Sequence, residues 1–247
     1  MSQCYKPVVS IVVLILALTT LPGCATLGGK EAEQKIHNPD PFEKFNRAVF
    51  KFNDSADRAV LKPVAKAYVK IVPTPLRKGM RNFFKNALEP TVIINDFLQG
   101  KVEQGFKDTW RFVINSTVGI VGLFDVASKI GLERHDEDFG QTFAKWGVAD
   151  GPYLVLPFLG PSNVRDGIGL IPLYEYTHLI NYVNDTKVRW GIVSLESVDI
   201  RANLLKSEKI LMQAALDRYL FVREAYKQRR LNLIHDGNPP MDYLLDD

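Results

Sequence analysis

The chain is short of cysteine, of strand-like alternation and of surplus charge, and each shortage narrows what it can be. Its 247 residues hold two cysteines, Cys4 and Cys24. Cys4 falls in a segment read below as a removed leader, so Cys24 alone would remain and no internal disulfide can form. Thirty-one Lys and Arg against 28 Asp and Glu leave a formal charge of +3. That lacks the clustered excess of a nucleic-acid binder, so no nucleic-acid partner is expected. The apolar run from Val8 to Leu18 is about half of the ~20 residues that a membrane-crossing helix needs. Catalytic signatures are missing as well: no Gly-x-Ser-x-Gly elbow, no His-Glu-x-x-His and no phosphate-binding loop. No catalytic residue and no cofactor are therefore expected, and energy from ATP would have to come from a partner. The four histidines (His37, His135, His178 and His235) lie far apart. His135-Asp136-Glu137-Asp138 reads as acids at a helix start, which favour the helix dipole, so no metal site is expected.

What is present begins with an export signal. Residues 1–23 combine Lys6, the apolar run and small residues at the end. Leu21-Pro22-Gly23-Cys24 resembles a bacterial lipobox, with cleavage between Gly23 and Cys24 and a diacylglycerol on the Cys24 thiol. Three acyl chains, at ~0.8 kcal/mol per buried methylene, anchor a protein stably. Ala25 follows in place of the Asp that retains lipoproteins in the inner membrane, which favours the outer one. Without residues 1–23 the chain loses one lysine and no acid, leaving +2. Residues 24–39 are small, polar and mixed in charge, as suits a lipidated tether.

Helical periodicity dominates residues 40–237, read as one domain. Asp40 suits an N-cap, Pro41 the first turn and Glu43 a capping box. Phe42, Phe45, Val49, Phe52, Ala56 and Val60 share one arc, opposite Lys44, Arg47, Lys51, Asp54 and Arg58. Further helices are expected over 62–72, from Thr74 to about Leu88 before Pro90, from Lys101, and over Asp136–Trp146 ahead of Gly147. Thr91 to Leu98 reads as a short apolar piece. Val102, Phe106, Thr109, Val113 and Thr117 share a face, with Trp110 beside it. Ser162, Thr186 and Ser207 suit N-caps, and a long last helix, with Leu211, Ala215, Val222, Tyr226 and Leu233 along one face, ends at Gly237. Residues 238–247 read as a frayed tail. Period-two alternation is scarce and no hairpin signal stands out. The fold class expected is all-α: a single domain of many short amphipathic helices, interrupted by proline.

Gly151 to Asp166 breaks the pattern. Three prolines and two glycines interrupt a run of bulky apolar residues. It cannot be a regular helix, and as a strand it belongs at an edge.

With this segment in place, the chain resembles the MlaA (VacJ) family of outer-membrane phospholipid-transport lipoproteins. The resemblance runs through the lipobox, Asp40-Pro41-Phe42-Glu43-Lys44-Phe45-Asn46-Arg47, Phe52-Asn53, Val72-Pro73-Thr74-Pro75 and Glu89-Pro90. It continues through Asn95 to Gly100, Arg111-Phe112, Asn115-Ser116-Thr117, Gly119-Ile120 and Phe124 to Ala127. Phe139-Gly140-Gln141-Thr142, Gly147-Val148, Gly151–Asp166 and Leu220–Tyr226 complete it. The resemblance implies a ring-like helical protein embedded in the outer membrane, lipid-anchored on the periplasmic side and associated with trimeric porins. It also implies an amphipathic channel through which phospholipid misplaced in the outer leaflet reaches a soluble periplasmic carrier (MlaC-like), for return to the inner membrane. Lipid asymmetry would be the outcome.

Such a path must offer polar groups to the head and apolar ones to the tails. Asn46 and Asn53, seven apart, lie beside the apolar arc of the first helix. They either border a channel or bond neighbouring helices. Gly119, Gly122, Gly140 and Gly147 would let a helical hairpin pivot, or let helices pack closely. Phe139, before Gly140, is the candidate apolar gate. Arg165 and Asp166 would make a polar contact in the channel or fix a helix start. Phe42, Phe45, Phe83, Phe84 and Trp110 are candidates for the membrane interface. Two other functions stay open: an envelope scaffold that organises porins or surface proteins without moving lipid, and a lipid-cleaving enzyme.

Overall fold

The computed structural model of the protein describes residues 40–214 and 216–240. The leader, Cys24 and the tether fall outside the described residues, as does the tail beyond residue 240. Eight α-helices and one short hairpin follow one another among the described residues. They are α1 (Glu43–Ala56), α2 (Lys62–Ile71), α3 (Thr74–Leu98), α4 (Val102–Thr117) and α5 (Phe139–Lys145). Strands β1 (Tyr153–Leu156) and β2 (Gly160–Asn163) then lead to α6 (Val164–Pro172), α7 (Thr186–Ala214) and α8 (Arg218–Ile234).

The helices turn a polar stripe inward. In α4 the buried positions are Gly105, Asp108, Arg111 and Asn115, spaced at three and four residues along one face. Val102, Phe106, Trp110 and Val113 face outward, Trp110 at 62% exposure. Helix α3 behaves alike, burying Asn86, Glu89, Asn95 and Asp96 while Ile94, Phe97 and Leu98 stay exposed. Among the described residues twelve hydrophobic and twenty polar or charged side chains are buried. A water-soluble domain shows the opposite balance.

Among the described residues, the buried apolar side chains gather in three small clusters. Ala65, Tyr68 and Ala202 join α2 to α7. Phe84, Ala87 and Ile180 join α3 to the turn after α6. Tyr153, Val155 and Tyr219 join the hairpin to α8. The remaining cohesion is polar. Arg111 holds both oxygens of Asp125 at 3.1 Å, and the Asn115 amide accepts from the backbone of Val126 and Ala127. This fixes the exposed apolar loop from Val118 to Phe124, where Ile120 and Val121 take left-handed backbone conformations. Gly119 and Gly122 belong to the packing here: an added Cβ would lie 2.3 Å from the Phe124 carbonyl oxygen or 2.4 Å from Asn86 Cβ.

Four expectations need correction. Helix α3 does not stop before Pro90 but runs through it to Leu98. A proline inside a helix costs about 3 kcal/mol, and the buried polar groups on both sides of Pro90 hold the turns together. Helix α1 starts at Glu43 without a side-chain cap. Asp40 is instead fully buried and receives the Asn46 amide and the Tyr219 hydroxyl. Ser162 and Ser207 cap nothing. Asn163 caps α6, accepting from Asp166 N, and Asp185 accepts from the backbone of Lys187 and Val188. The proline-rich segment is an antiparallel hairpin, Tyr153 opposite Asn163 and Leu156 opposite Gly160. Four-residue strands are too short to show alternation, and Phe158 and Gly160 in left-handed backbone close the turn.

A buried acid pair gives the fold a pH dependence. Asp96 and Asp108, on facing stretches of α3 and α4, are both fully buried. Burial, the hydrogen bond to Asp108 and that neighbour's charge push the Asp96 carboxyl up from 3.8 to about 8. The folded chain thus holds a proton that the unfolded chain releases above about pH 4. This contribution is complete below the unfolded value and disappears as the pH rises toward 8. Asp96→Asn removes the titration. The variant should lose less stability than the parent between about pH 5 and about pH 9, read as denaturation midpoints in detergent buffer.

Candidate functional site

A cavity of about 260 Å³ lies between the N-terminal end of α5, the hairpin, α6 with the turn after it, and α8. Its walls divide by chemistry. Leu156, Leu159, Pro161, Leu170, Leu173 and Tyr174 supply an apolar side, while Asp138, Ser162, Asp166, Tyr226 and Arg230 supply a polar end.

Local sequence explains how the polar groups converge. Asp138 has extended backbone and caps α5, its carboxylate accepting from Gln141 N at 2.9 Å. Asn163 caps α6 and returns its amide to Asp166 at 3.0 Å, a reciprocal first-turn arrangement. Tyr226 and Arg230, one turn apart on α8, reach both acids. Tyr226 donates its hydroxyl to Asp166 at 2.5 Å. Arg230 donates to both Asp138 oxygens, at 2.5 and 3.0 Å, and to Asp166 at 3.1 Å. Its Nε lies 2.8 Å from the second Asp166 oxygen. Arg165 adds a bond to Asp166 at 3.1 Å from behind.

Each ionisation state follows from these contacts. Burial opposes the charged form of Asp138, but the Arg230 hydrogen bonds outweigh it, and the carboxyl is held below its usual range. Burial also works against the Arg230 cation, and Asp138 and Asp166 more than restore it. Tyr226 is raised by burial and by the Asp166 charge, so its proton stays on the phenol. The polar end is thus a pre-formed array of paired charges with the hydroxyls of Tyr226 and Ser162 beside them.

The residues singled out from sequence divide into three sets. Gly140 and Asp166 line the cavity. Phe139 and Arg165 sit behind it: both are buried, Phe139 beside Phe143 and Arg165 against Asp166 and the Val148 carbonyl. Asn46 and Asn53 lie elsewhere and clamp the hairpin. Asn46 bonds the Tyr153 carbonyl and the Val155 N–H, each at 2.9 Å, and Asn53 bonds the Leu156 carbonyl and the Phe158 N–H, also at 2.9 Å. Their amides replace a third strand along one edge of β1. Of the interface candidates, Phe42, Phe45 and Trp110 are exposed. Phe84 is 6% exposed against Ala87 and Ile180, with Phe83 packed on the same cluster. These two fill the core, because α3 turns that face toward the segment after α6.

Asp138, Tyr226 and Arg230 were missed as site residues. The spacing of Tyr226 and Arg230 on one helical face was available, but Arg230 also fits a cation near a helix end. Only the folded chain shows that it meets Asp138, 92 residues away.

The walls depend on two glycines. A Cβ on Gly140 would fall 2.3 Å from Asp166 Oδ1, and one on Gly169 would fall 2.8 Å from the Gly140 nitrogen. The second contact is with backbone and cannot relax by turning a side chain. Gly169→Ala should therefore destabilise the protein by roughly 1–3 kcal/mol, seen as a lower denaturation midpoint. Ala at the open position Gly191, where an added Cβ meets nothing within 4 Å, is the control.

Comparison with known proteins places this architecture. A family model described as MlaA lipoprotein matches residues 38–233. The intermembrane phospholipid transport system lipoprotein MlaA of Escherichia coli (strain K12) is 37% identical over 244 residues, covering 95% of this chain and 94% of its own. The protein of the same name from Haemophilus influenzae is 32% identical, covering 92% and 91%. An uncharacterised protein of Rickettsia typhi is 38% identical over 210 residues, 82% of this chain and 81% of its own. A solved structure from work on the structural basis for maintenance of bacterial outer membrane lipid asymmetry aligns with TM-score 0.70 at 37% identity, over 81% of this chain and 99% of that one. Sequence and fold agree, and the chain belongs to the MlaA lipoprotein family.

Proposed function

We propose that the protein is a passive conduit that takes phospholipid from the outer leaflet of the outer membrane and releases it to a soluble periplasmic carrier. The observation that carries this reading is the inverted burial, with polar groups inside and phenylalanine and tryptophan outside. Such a surface suits hydrocarbon and headgroups better than water. No helix among the described residues is long and apolar enough to cross a membrane. Amphipathic helices lying in the interface provide another way to be held there. The Cys24 lipid would keep the domain at that membrane, and a trimeric porin would cover part of the apolar exterior.

The cavity supplies the second support. Moving a charged head through hydrocarbon costs several kcal/mol, and the polar end beside Asp166 and Arg230 offers a substitute for water. At about 260 Å³ the space is smaller than a drug-sized pocket, which spans about 300–1,000 Å³. It suits part of a lipid, with the remaining chain length lying along the hairpin. Phe158 and Leu159, exposed at the hairpin tip, would meet acyl chains first. Gly140 and Asp166 would act at the channel wall with Phe139 and Arg165 supporting them from behind, and Asn46 and Asn53 would act by holding the hairpin beside it. The tightly ion-paired groups suit passage rather than cleavage of the lipid.

Photocrosslinking tests this directly. A photoreactive residue at Leu159, in cells labelled with radioactive phosphate, is expected to capture phospholipid, whereas one at the exposed polar position Lys129 is not. Absence of lipid at Leu159 would remove the conduit reading and leave a scaffold. Deleting the gene should raise phospholipid in the outer leaflet and sensitise cells to detergent. Unchanged surface phospholipid would contradict the proposal.

A further inference from the structure

We propose that the loop from Val118 to Phe124 is a preformed wedge that enters the acyl boundary of the membrane, where it meets lipid chains rather than another protein. The proposal rests on the membrane-bound half of the conduit reading and not on the lipid path. Phe42, Phe45 and Trp110 all lie outside this loop.

Composition sets the loop apart. From Phe112 to Phe124 the chain carries no charged residue. Val118, Ile120, Val121, Leu123 and Phe124 are all exposed, Val121 at 60%. Five exposed apolar side chains within seven residues mark a surface that is covered by something other than water.

The backbone indicates what covers it. Irregular backbone is normally kept out of hydrocarbon because its polar groups go unpaired there. Here seven consecutive N–H groups, from Val118 to Phe124, all find backbone carbonyls in the same stretch of chain. Val118 and Gly119 donate to Ile114, Ile120 to Thr117 and Val121 to Ser116. Gly122 donates to Asn115, Leu123 to Ile120 and Phe124 to Gly119, and the six bonds from Gly119 onward measure 2.8–3.3 Å. The Thr117 hydroxyl turns back to the Val113 carbonyl at 2.7 Å, and the Asn82 amide covers the Leu123 carbonyl at 3.2 Å. The charged loop from Glu133 to Asp138 is the opposite. Among the described residues none of its N–H groups reaches a backbone carbonyl, as suits a segment that water can serve. Among the described residues the Val118, Val121 and Gly122 carbonyls find no backbone donor. Headgroup donors and water must stay within their reach, so the wedge stops at the boundary and does not cross the bilayer.

The shape is held in advance. Ile120 and Val121 have φ of 53° and 54°, a left-handed conformation that β-branched residues resist. Such backbone persists only where its surroundings over-determine it, and it collects at functional elements. The surroundings here are Gly119 and Gly122 in tight packing and the Arg111, Asn115 and Asp125 clamp at the base of the loop.

The test uses the full-length protein reconstituted into vesicles of phosphatidylethanolamine and phosphatidylglycerol, with no other protein present. A nitroxide is attached at Val121→Cys and, in parallel, at Ile120→Cys, Trp110→Cys and Lys129→Cys. The parent, treated alike, gives the background from Cys24. Collisions with oxygen, which concentrates in hydrocarbon, and with a water-soluble nickel chelate give the depth of each label. The Val121 and Ile120 labels are expected roughly 5–10 Å below the phosphates, with the Lys129 label on the water side. Either loop position decides the matter if the other variant does not fold. Loop labels reached by the chelate as readily as the Lys129 label overturn the wedge. The membrane reading then stands if the Trp110 label lies in hydrocarbon, and falls with the wedge if it does not. Loop labels shielded from both reagents would be covered by a second copy of the chain, which also overturns the proposal. The same measurement in native outer membranes separates the last alternative: shielding from oxygen there alone would assign the loop to a protein partner and overturn it.

Discussion

Burying polar groups is the constraint under which the rest of this structure is built. A chain that turns its phenylalanines and tryptophans outward has little hydrophobic core, and every inward amide, carboxylate and guanidinium must find a partner or be penalised. The partners are specific. Asp40 needs Asn46 and Tyr219; Asn115 needs Asp125 and two backbone amides; Arg201 grips Asp57 with two bonds and Glu208 with a third. Satisfied networks of this kind fix one arrangement of the helices, because a slipped register strands several groups at once. Rigidity therefore comes from the interior network, and the outside is left free to meet lipid or protein.

The hairpin shows the same logic at small scale. Two four-residue strands cannot stand alone. Helix α1 completes them by offering Asn46 and Asn53 to consecutive backbone groups of β1 and its turn. The seven-residue spacing that puts both amides on one side of α1 also matches the length of the strand they hold. Tyr153 and Val155 then point onto Tyr219, Val49 and Phe50, while Phe158 and Leu159 project from the tip. An apolar loop is thus presented at the edge of the cavity by a rigid base.

Much of this was legible beforehand, and the failures have physical causes. Amphipathic arcs located α1 and α4, because helical periodicity reports on two faces of different polarity whichever of them is buried; the arc expected from Leu211 to Leu233 instead spans two helices, Leu211 lying in α7 and α8 starting only at Arg218. That same symmetry misled. Phe83 and Phe84 look identical in kind to Phe42 and Phe45, yet only tertiary packing decides that the first pair faces Ile180. Pro90 signalled an end to α3, but local propensity yields where buried partners bind the turns on both sides. In the site, Gly140 and Asp166 were accessible from an unusual segment. Arg230, Tyr226 and Asp138 were not, since each has an adequate local explanation on its own helix and acquires its second role only across the fold.

The cavity's polar end also bears on how a lipid could leave. A free cation in an enclosed site would hold a phosphate tightly and make it a trap. Here Arg230 is neutralised in advance by two acids, and the Tyr226 hydroxyl is engaged by one of them. On the conduit reading, a head entering such a site would find charges that are already paired rather than an unpaired opposite charge, which would replace part of its hydration without binding it strongly. The proposed passive conduit would need that balance, because it could transmit only what it does not retain. Gly140 and Gly169 let the α5 and α6 backbones approach closely enough for Asp138 and Asp166 to share one guanidinium. Close helix packing and charge neutralisation are in this way consequences of a single crossing point.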